Sequence, residues 1–379
     1  MAQTYDVANR LSPLLICPDA LTLSKSLKIQ AEEIVRAFWA LRLDSARNHK
    51  LEIIDPAIPD PGNVSALMSF DFHIDPSGLL RLIEINTNAS LSLLVDLLYE
   101  VHEIENPFSK NFRTEIVATF REELSLAGFS TPKTVAIVDE HPQEQRLFIE
   151  FLMYKELFEK NGFTTLIADA SELIFENGKI KMGASALDLI YNRHTDFYFQ
   201  TPGTSALHNA MMAKAVCISP HPHDYRLLAD KERLMEFSSL QGIESLPLST
   251  TEKSAIEKTI IKTIDVREYC SSRDPQELWK DRKKWFFKPK RSFGGKATYR
   301  GSSITRPTFA NVIAGDYLAQ EYVAAPVTQT PTGGADEFKY DLRFYTYKDK
   351  IQLACARLYR GQMTNSQTPG GGTTAIKWI

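Results

Sequence analysis

The chain has 379 residues, 44 Lys and Arg against 47 Asp and Glu, a net charge of −3 and 43% hydrophobic residues. This is the balance of a folded protein with a substantial core; it excludes a disordered tail or a fibrous chain, and the length predicts two or three domains. Near-neutral charge with no long basic stripe argues against nucleic acid as a partner.

The four cysteines, Cys17, Cys217, Cys270 and Cys355, lie far apart, so neither a CxxC pair nor a zinc cluster is read from them, and reduced thiols are expected. The first residues lack a basic segment and carry only a short apolar run. No signal peptide and no membrane span is predicted, which points to the cytoplasm.

Over residues 21–43 apolar side chains recur at helical spacing (Leu27, Ile34, Phe38, Leu41), predicting one amphipathic helix or two short ones. Residues 67–74 and 79–86 read as a β-hairpin around Asp75-Pro76-Ser77-Gly78, with Pro and Gly at the i+1 and i+3 positions of a type I turn. Helices follow at 91–101 and 115–127, the second closed by Gly128. Next come a strand at 134–138, a helix at 144–160, a strand at 164–168, a small hairpin turning at Asn177-Gly178 and a strand at 187–191. Strands alternating with a long helix predict a parallel α/β unit, set off as a domain over 131–215 between segments 1–130 and 216–379. Beyond it lie a charged helix at 228–240, strands near 285–288, 317–323, 340–347 and 351–359, and a glycine-rich end.

The hairpin carries the first chemistry. Residues i and i+2 of a strand share a face, so Glu84 and Asn86 point together and away from Ile83 and Ile85. If Asp75 pairs with Gly78, Asp71 lies opposite Leu82 on the same face. An Asp, a Glu and an Asn would then converge, an all-oxygen set suited to Mg²⁺, which takes one or two carboxylates and completes its shell with water and phosphate oxygens. A wet polar face is the alternative, and Glu-x-Asn alone does not decide.

Further along, an aromatic strand delivers Lys288 into a basic loop, Lys290-Arg291-Ser292-Phe293-Gly294-Gly295-Lys296. Adjacent glycines let backbone N–H groups face phosphate oxygens, although GxxxxGK[ST] is absent and a solvated turn has the same composition. Gln320, Glu321 and Val323 lie in an apolar strand able to hydrogen-bond an adenine edge and ribose hydroxyls. Asp341 and Arg343 alternate on one strand, with Arg357 on the next; Arg forks suit carboxylate or phosphate, and Asp341 with Arg343 also suit each other. The run Gly370-Gly371-Gly372 fits either a closing loop or a flexible end. His221 and His223 flank Pro222 with no further metal ligand nearby and read as a proline-stiffened loop, and Asp139-Glu140-His141, although it follows a strand where α/β proteins bind ligands, reads as a polar loop.

Taken together, IEINTNAS at 83–90, LIYNRHTDFYF at 189–199, CISPHPHDYRLLADK at 217–231 and FFKPKRSFGG at 286–295 resemble the ATP-grasp ligases. Their order resembles the circularly permuted branch typified by eukaryotic-type glutathione synthetases, in which the Glu-x-Asn strand comes first. The resemblance implies a mixed α/β, circularly permuted ATP-grasp fold with an inserted parallel α/β substrate domain. It implies ATP and Mg²⁺ as cofactors, with Lys231 and Lys288 on phosphates, Glu321 on the ribose, Glu84 and Asn86 on magnesium, and Arg193 and Arg357 on substrate. Gly294 and Gly295, and the run Gly370, Gly371 and Gly372, would be lids. Where glutathione synthetases carry a metal carboxylate after Lys-Pro-x-Arg this chain has Ser292, so Asp71 becomes the preferred third carboxylate. The implied activity is ATP-dependent joining of a small-molecule carboxylate to an amine, an amino acid or small peptide, through an acyl phosphate, in a protein that the resemblance pictures as a homodimer. Arg343, Arg357 and Lys288 would stabilise the transition state. The alternative readings are an ATP-binding regulatory or degenerate homologue without ligase activity, and an enzyme that phosphorylates its acceptor.

Overall fold

The computed structural model describes residues 16–17, 19–48, 58–239, 243–244, 248–291, 296–329, 337–365 and 368–379, with backbone only at 44–48. A six-stranded antiparallel sheet forms the centre. Its path runs Gly372–Thr374, Lys350–Tyr359, Glu337–Tyr347, Met68–Ile74, Leu80–Asn86, with Val327–Gln329 paired to Glu337–Tyr347. The alternation expected of the hairpin extends across this sheet. Phe70, Phe72, Leu342 and Phe344 are buried on one face with Ile34, Val35 and Phe38 of helix Lys25–Asn48, and the Phe38 and Phe70 rings lie 5.6 Å apart. Each such fully buried side chain stabilises the fold by about 1.5–3 kcal/mol. Their neighbours Asp71, Asp341 and Arg343 therefore face the other way.

The helix expected from residue 21 starts later. Leu21–Leu23 is a strand paired in parallel with Ile376–Trp378. Leu21 donates to the Ala375 carbonyl at 3.0 Å and Ile379 to that of Leu23 at 2.9 Å, so a partner at the far end of the chain overrides the local helical spacing.

A parallel sheet, ordered Cys217–Ser219, Leu189–Asn192, Thr134–Asp139, Thr164–Asp169, carries helix Phe148–Lys160 against it. The helix begins after the expected residue 144 because Pro142–Glu144 forms its own 3₁₀ turn behind a left-handed His141. The strand at 217–219 extends this unit past residue 215. The small hairpin turns at Asn177 and Gly178 with φ of 51° and 71°, the left-handed pair that a two-residue turn requires.

A third sheet, ordered Thr263–Asp265, Tyr317–Glu321, Trp285–Pro289, Tyr299–Arg300, buries Phe287 and Ala319 against Val266, Leu278, Phe309 and Val312. Its other face presents Phe286, Lys288 and Gln320. The helix expected over 228–240 is broken into a wide turn, Tyr225–Ala229, and a short helix, Glu232–Ser238. Asp230 between them is extended and accepts the Tyr198 hydroxyl at 2.6 Å and the Glu232 amide at 3.0 Å, which sets Lys231 at the helix start. Among the described residues no helix is long and apolar enough to cross a membrane.

Candidate active site

The polar face of the central sheet and the polar face of the third sheet meet. The join is made by a bulge in the hairpin: Phe72 pairs with Leu82, but Asp71 pairs with Glu84 and Ser69 with Asn86, so Ile83 is skipped. The expected pairing of Asp71 with Leu82 is corrected by two residues, one at the turn, where the Asp75 amide donates to the Leu79 carbonyl, and one at the bulge, and Asp71, Glu84 and Asn86 still share one face. The bulge also releases the Ile83 carbonyl from the ladder. That oxygen accepts from Lys288 Nζ at 3.2 Å and from Gln320 Nε2 at 3.4 Å, both from the third sheet.

Lys288 is only 7% exposed and also donates to Gln320 Oε1 at 2.8 Å. Burial pushes its ammonium down to about 8; Glu84 and Asp71 oppose this, and Lys231 adds to it. Lys231, Glu84 and Asp71 are thus all within electrostatic reach of Lys288.

Asp71 behaves differently from its neighbours. It is 0% exposed. Arg343 grips both its oxygens, at 2.8 and 2.6 Å, and Arg357 adds a third bond at 2.8 Å. Burial alone would raise this carboxyl, yet the two guanidiniums hold it at about 2. With Asn86 Nδ2 donating at 3.2 Å as well, its lone pairs are taken, so the expectation of Asp71 as third metal carboxylate is replaced by one of an arginine partner. Asp341 does not pair with Arg343; it lies directly opposite Arg357 and accepts from it at 2.6 and 2.9 Å. The Thr364 hydroxyl donates to the same carboxylate.

Glu84 and Asn86 remain half-buried, linked by an Asn86 Nδ2 to Glu84 Oε1 contact of 3.4 Å. Among the described residues no group of three or more His, Cys, Asp or Glu side chains could hold a metal alone. One carboxylate and one amide oxygen nevertheless fit Mg²⁺ when phosphate oxygens complete its shell.

The other expected residues divide. Glu321 is exposed at the rim, and the Val323 carbonyl meets His73 Nδ1 at 2.9 Å, so a histidine with no motif to mark it braces the linker after the third sheet. Arg193 is 4% exposed and donates to the Asn88 and Ala89 carbonyls at 2.8 and 2.9 Å. Through Nη1 it braces the turn after the Glu-x-Asn strand, while its buried Nε has no hydrogen-bond partner among the described residues. Gly371 and Gly372 are buried at the start of an edge strand of the central sheet, where a Cβ on Gly371 would sit 2.5 Å from the Leu358 carbonyl. The expected free lid is absent at those two positions. Ser292, Gly294 and Gly295 lie outside the described residues. Lys290, in the loop read as phosphate-binding, is held by Asp265 at 2.6 Å, Asp316 at 3.1 Å and Glu232 at 3.4 Å.

No protein-family model matches the chain, and no curated protein matches it in sequence. Solved structures do. The apo form of a glutathione synthetase-like effector from Globodera pallida superposes with a TM-score of 0.62 at 11% identity, covering 94% of this chain and 89% of that one. A protein from Methylobacillus flagellatus, described as a candidate γ-glutamylcysteine synthetase, gives a TM-score of 0.54 at 8% identity over 95% and 90% of the two chains. The chain has a glutathione synthetase-like fold. At these identities the likeness concerns the fold, and the chemistry rests on the residues above.

Proposed function

We propose that this protein is an ATP-dependent carboxylate–amine ligase of the circularly permuted ATP-grasp type, in which the Glu-x-Asn strand precedes both lysines. The observation that carries this reading is Lys288, which reaches from the third sheet to the Ile83 carbonyl beside Glu84 and so brings a cation and the candidate metal ligands to one point.

Bound between the sheets, Mg-ATP would supply a γ-phosphoryl group that a substrate carboxylate attacks, with ADP as leaving group; an amine then attacks the acyl carbon of the acyl phosphate, displaces inorganic phosphate and loses a proton, leaving an amide. Lys288 and Lys231 neutralise phosphate charge, Glu84 and Asn86 hold Mg²⁺, and the Arg343 and Arg357 forks meet the charge that develops on the transferring group. Gln320, Glu321 and the backbone near Val323 take the base and ribose. No nucleophilic side chain is required, because positioning and charge neutralisation supply the catalysis. The acceptors are small: an amino acid or short peptide on each side.

The test is a screen of amino acids and small peptides for stimulated ADP and phosphate release with Mg-ATP, with mass analysis for a new amide. An acceptor-dependent amide supports the proposal. A stable phosphorylated product, or tight Mg-ATP binding with no turnover on any acceptor, refutes it and points to a kinase or to a binding protein.

A further inference from the structure

Arg343 and Arg357 stand on adjacent antiparallel strands of the central sheet, and two guanidiniums so close repel each other. Asp71, on the strand to the other side of Arg343, resolves this. Its two oxygens accept Arg343 Nε at 2.8 Å and Arg343 Nη2 at 2.6 Å, and the second also takes Arg357 Nη2 at 2.8 Å. Asp71 therefore fixes the plane of the Arg343 fork and tethers Arg357 beside it by one bond, while Asp341 sets the Arg357 plane through Nε at 2.6 Å and Nη2 at 2.9 Å. The Asp71 side chain is 1% exposed, enclosed with the arginines it holds. Asp341 differs: it holds only Arg357, and through Thr364 it touches the segment leading to the glycine run.

We propose that Asp71 is the positioning residue of the anion clamp: it presets Arg343 and Arg357 for the transferring phosphoryl group, and it binds no metal. Resting on the ligase reading, this assigns the three acidic-face residues of the hairpin to two tasks, Glu84 and Asn86 to the metal and Asp71 to the arginines. An amide at position 71 would turn an N–H₂ group towards a guanidinium, removing one acceptor and misaligning the forks.

The experiment compares Asp71→Asn with wild type in the acceptor-stimulated ADP assay across a Mg²⁺ titration. Expected is a fall in kcat of roughly 10²–10³-fold, the size typical of lost transition-state electrostatics, with the KM for ATP and the half-saturating Mg²⁺ each within about twofold. A Mg²⁺ requirement raised tenfold or more, with rate recovered at high Mg²⁺, makes Asp71 a metal ligand and overturns the proposal; an unchanged kcat also overturns it. If the variant does not fold, Arg343→Lys is measured in its place, and it must lose kcat at unchanged Mg²⁺ dependence. Absence of any ADP release by wild type refutes the ligase reading separately. The clamp is then read from the Kd of Mg-ADP with aluminium fluoride, a mimic of the transferring phosphoryl group, which Asp71→Asn must weaken at least tenfold while the Kd of Mg-ATP stays within about twofold; a Kd for the mimic that does not move overturns the clamp.

Discussion

Replacing Lys288 by Met removes a buried cation while keeping most of the side chain's length. The ammonium titrates near 8 rather than 10.5 in the folded protein, chiefly because it is buried, so holding it charged costs about 3 kcal/mol. Against that, Met removes the donor to Gln320 Oε1 and one of the two donors to the Ile83 carbonyl, leaving a buried amide oxygen unmatched, a loss of roughly 1–3 kcal/mol. The balance is a ligand-free protein equal to wild type or up to about 2 kcal/mol more stable, where truncation of a buried residue ordinarily destabilises. The sign of the pH dependence provides an internal control. Below about pH 8 the penalty on wild type is present in full, and it fades by about 10.5 as the unfolded chain also loses its proton, so the gain from Met should shrink over that window. Chemical denaturation at pH 7 and pH 10 measures it, alongside ATP turnover, which should fall by roughly 10²–10³-fold. Loss of more than about 2 kcal/mol at pH 7, or retained turnover, would show that Lys288 is a structural residue and refute the reasoning.

Three further outcomes are expected. Affinity for Mg-ATP should decline above about pH 8, about tenfold per unit, as Lys288 loses its proton in the free protein; a flat profile to pH 9.5 by calorimetry contradicts this. Glu84→Gln should stay folded yet need at least tenfold more Mg²⁺ for ATP turnover, and an unaltered titration removes Glu84 from the metal. Glu123 is fully buried beside Asn63, Val64 and Tyr347, and burial pushes its carboxyl up to about 8 from 4.5. The folded protein keeps that proton while the unfolded chain gives it up, so stability falls between pH 4.5 and 8 by roughly 1.4 kcal/mol per unit. Glu123→Gln should flatten this slope in melting curves, and an undiminished slope assigns it to other groups.

The parts of this site that were legible in the sequence are those set by period-two alternation. Glu84 with Asn86, and Asp341 with Arg343, share faces because they are two residues apart, whatever their partners. The bulge at Ile83 was not legible, because an extra apolar residue in an apolar strand leaves the composition unchanged, yet it frees the carbonyl that Lys288 uses. Partners across strands were equally hidden. Asp71 and Arg343 lie 272 positions apart, and only the assembled sheet shows that each aspartate takes the arginine directly across from it. Arg193 has the residue type of a substrate ligand, but its burial against the carbonyls of Asn88 and Ala89 depends on two sheets meeting, which no local pattern encodes. Lys290 shows the same limit: three carboxylates from separate elements neutralise a lysine that its own loop presents as free.

The most direct measurement is a crystal structure with Mg²⁺ and a non-hydrolysable ATP analogue. The account predicts the triphosphate between Lys288 and the Arg343–Arg357 pair, Mg²⁺ on Glu84 and Asn86, and the base against the linker at Glu321–Val323. A nucleotide bound elsewhere, or Mg²⁺ seated on Asp71 with the arginines displaced, contradicts it.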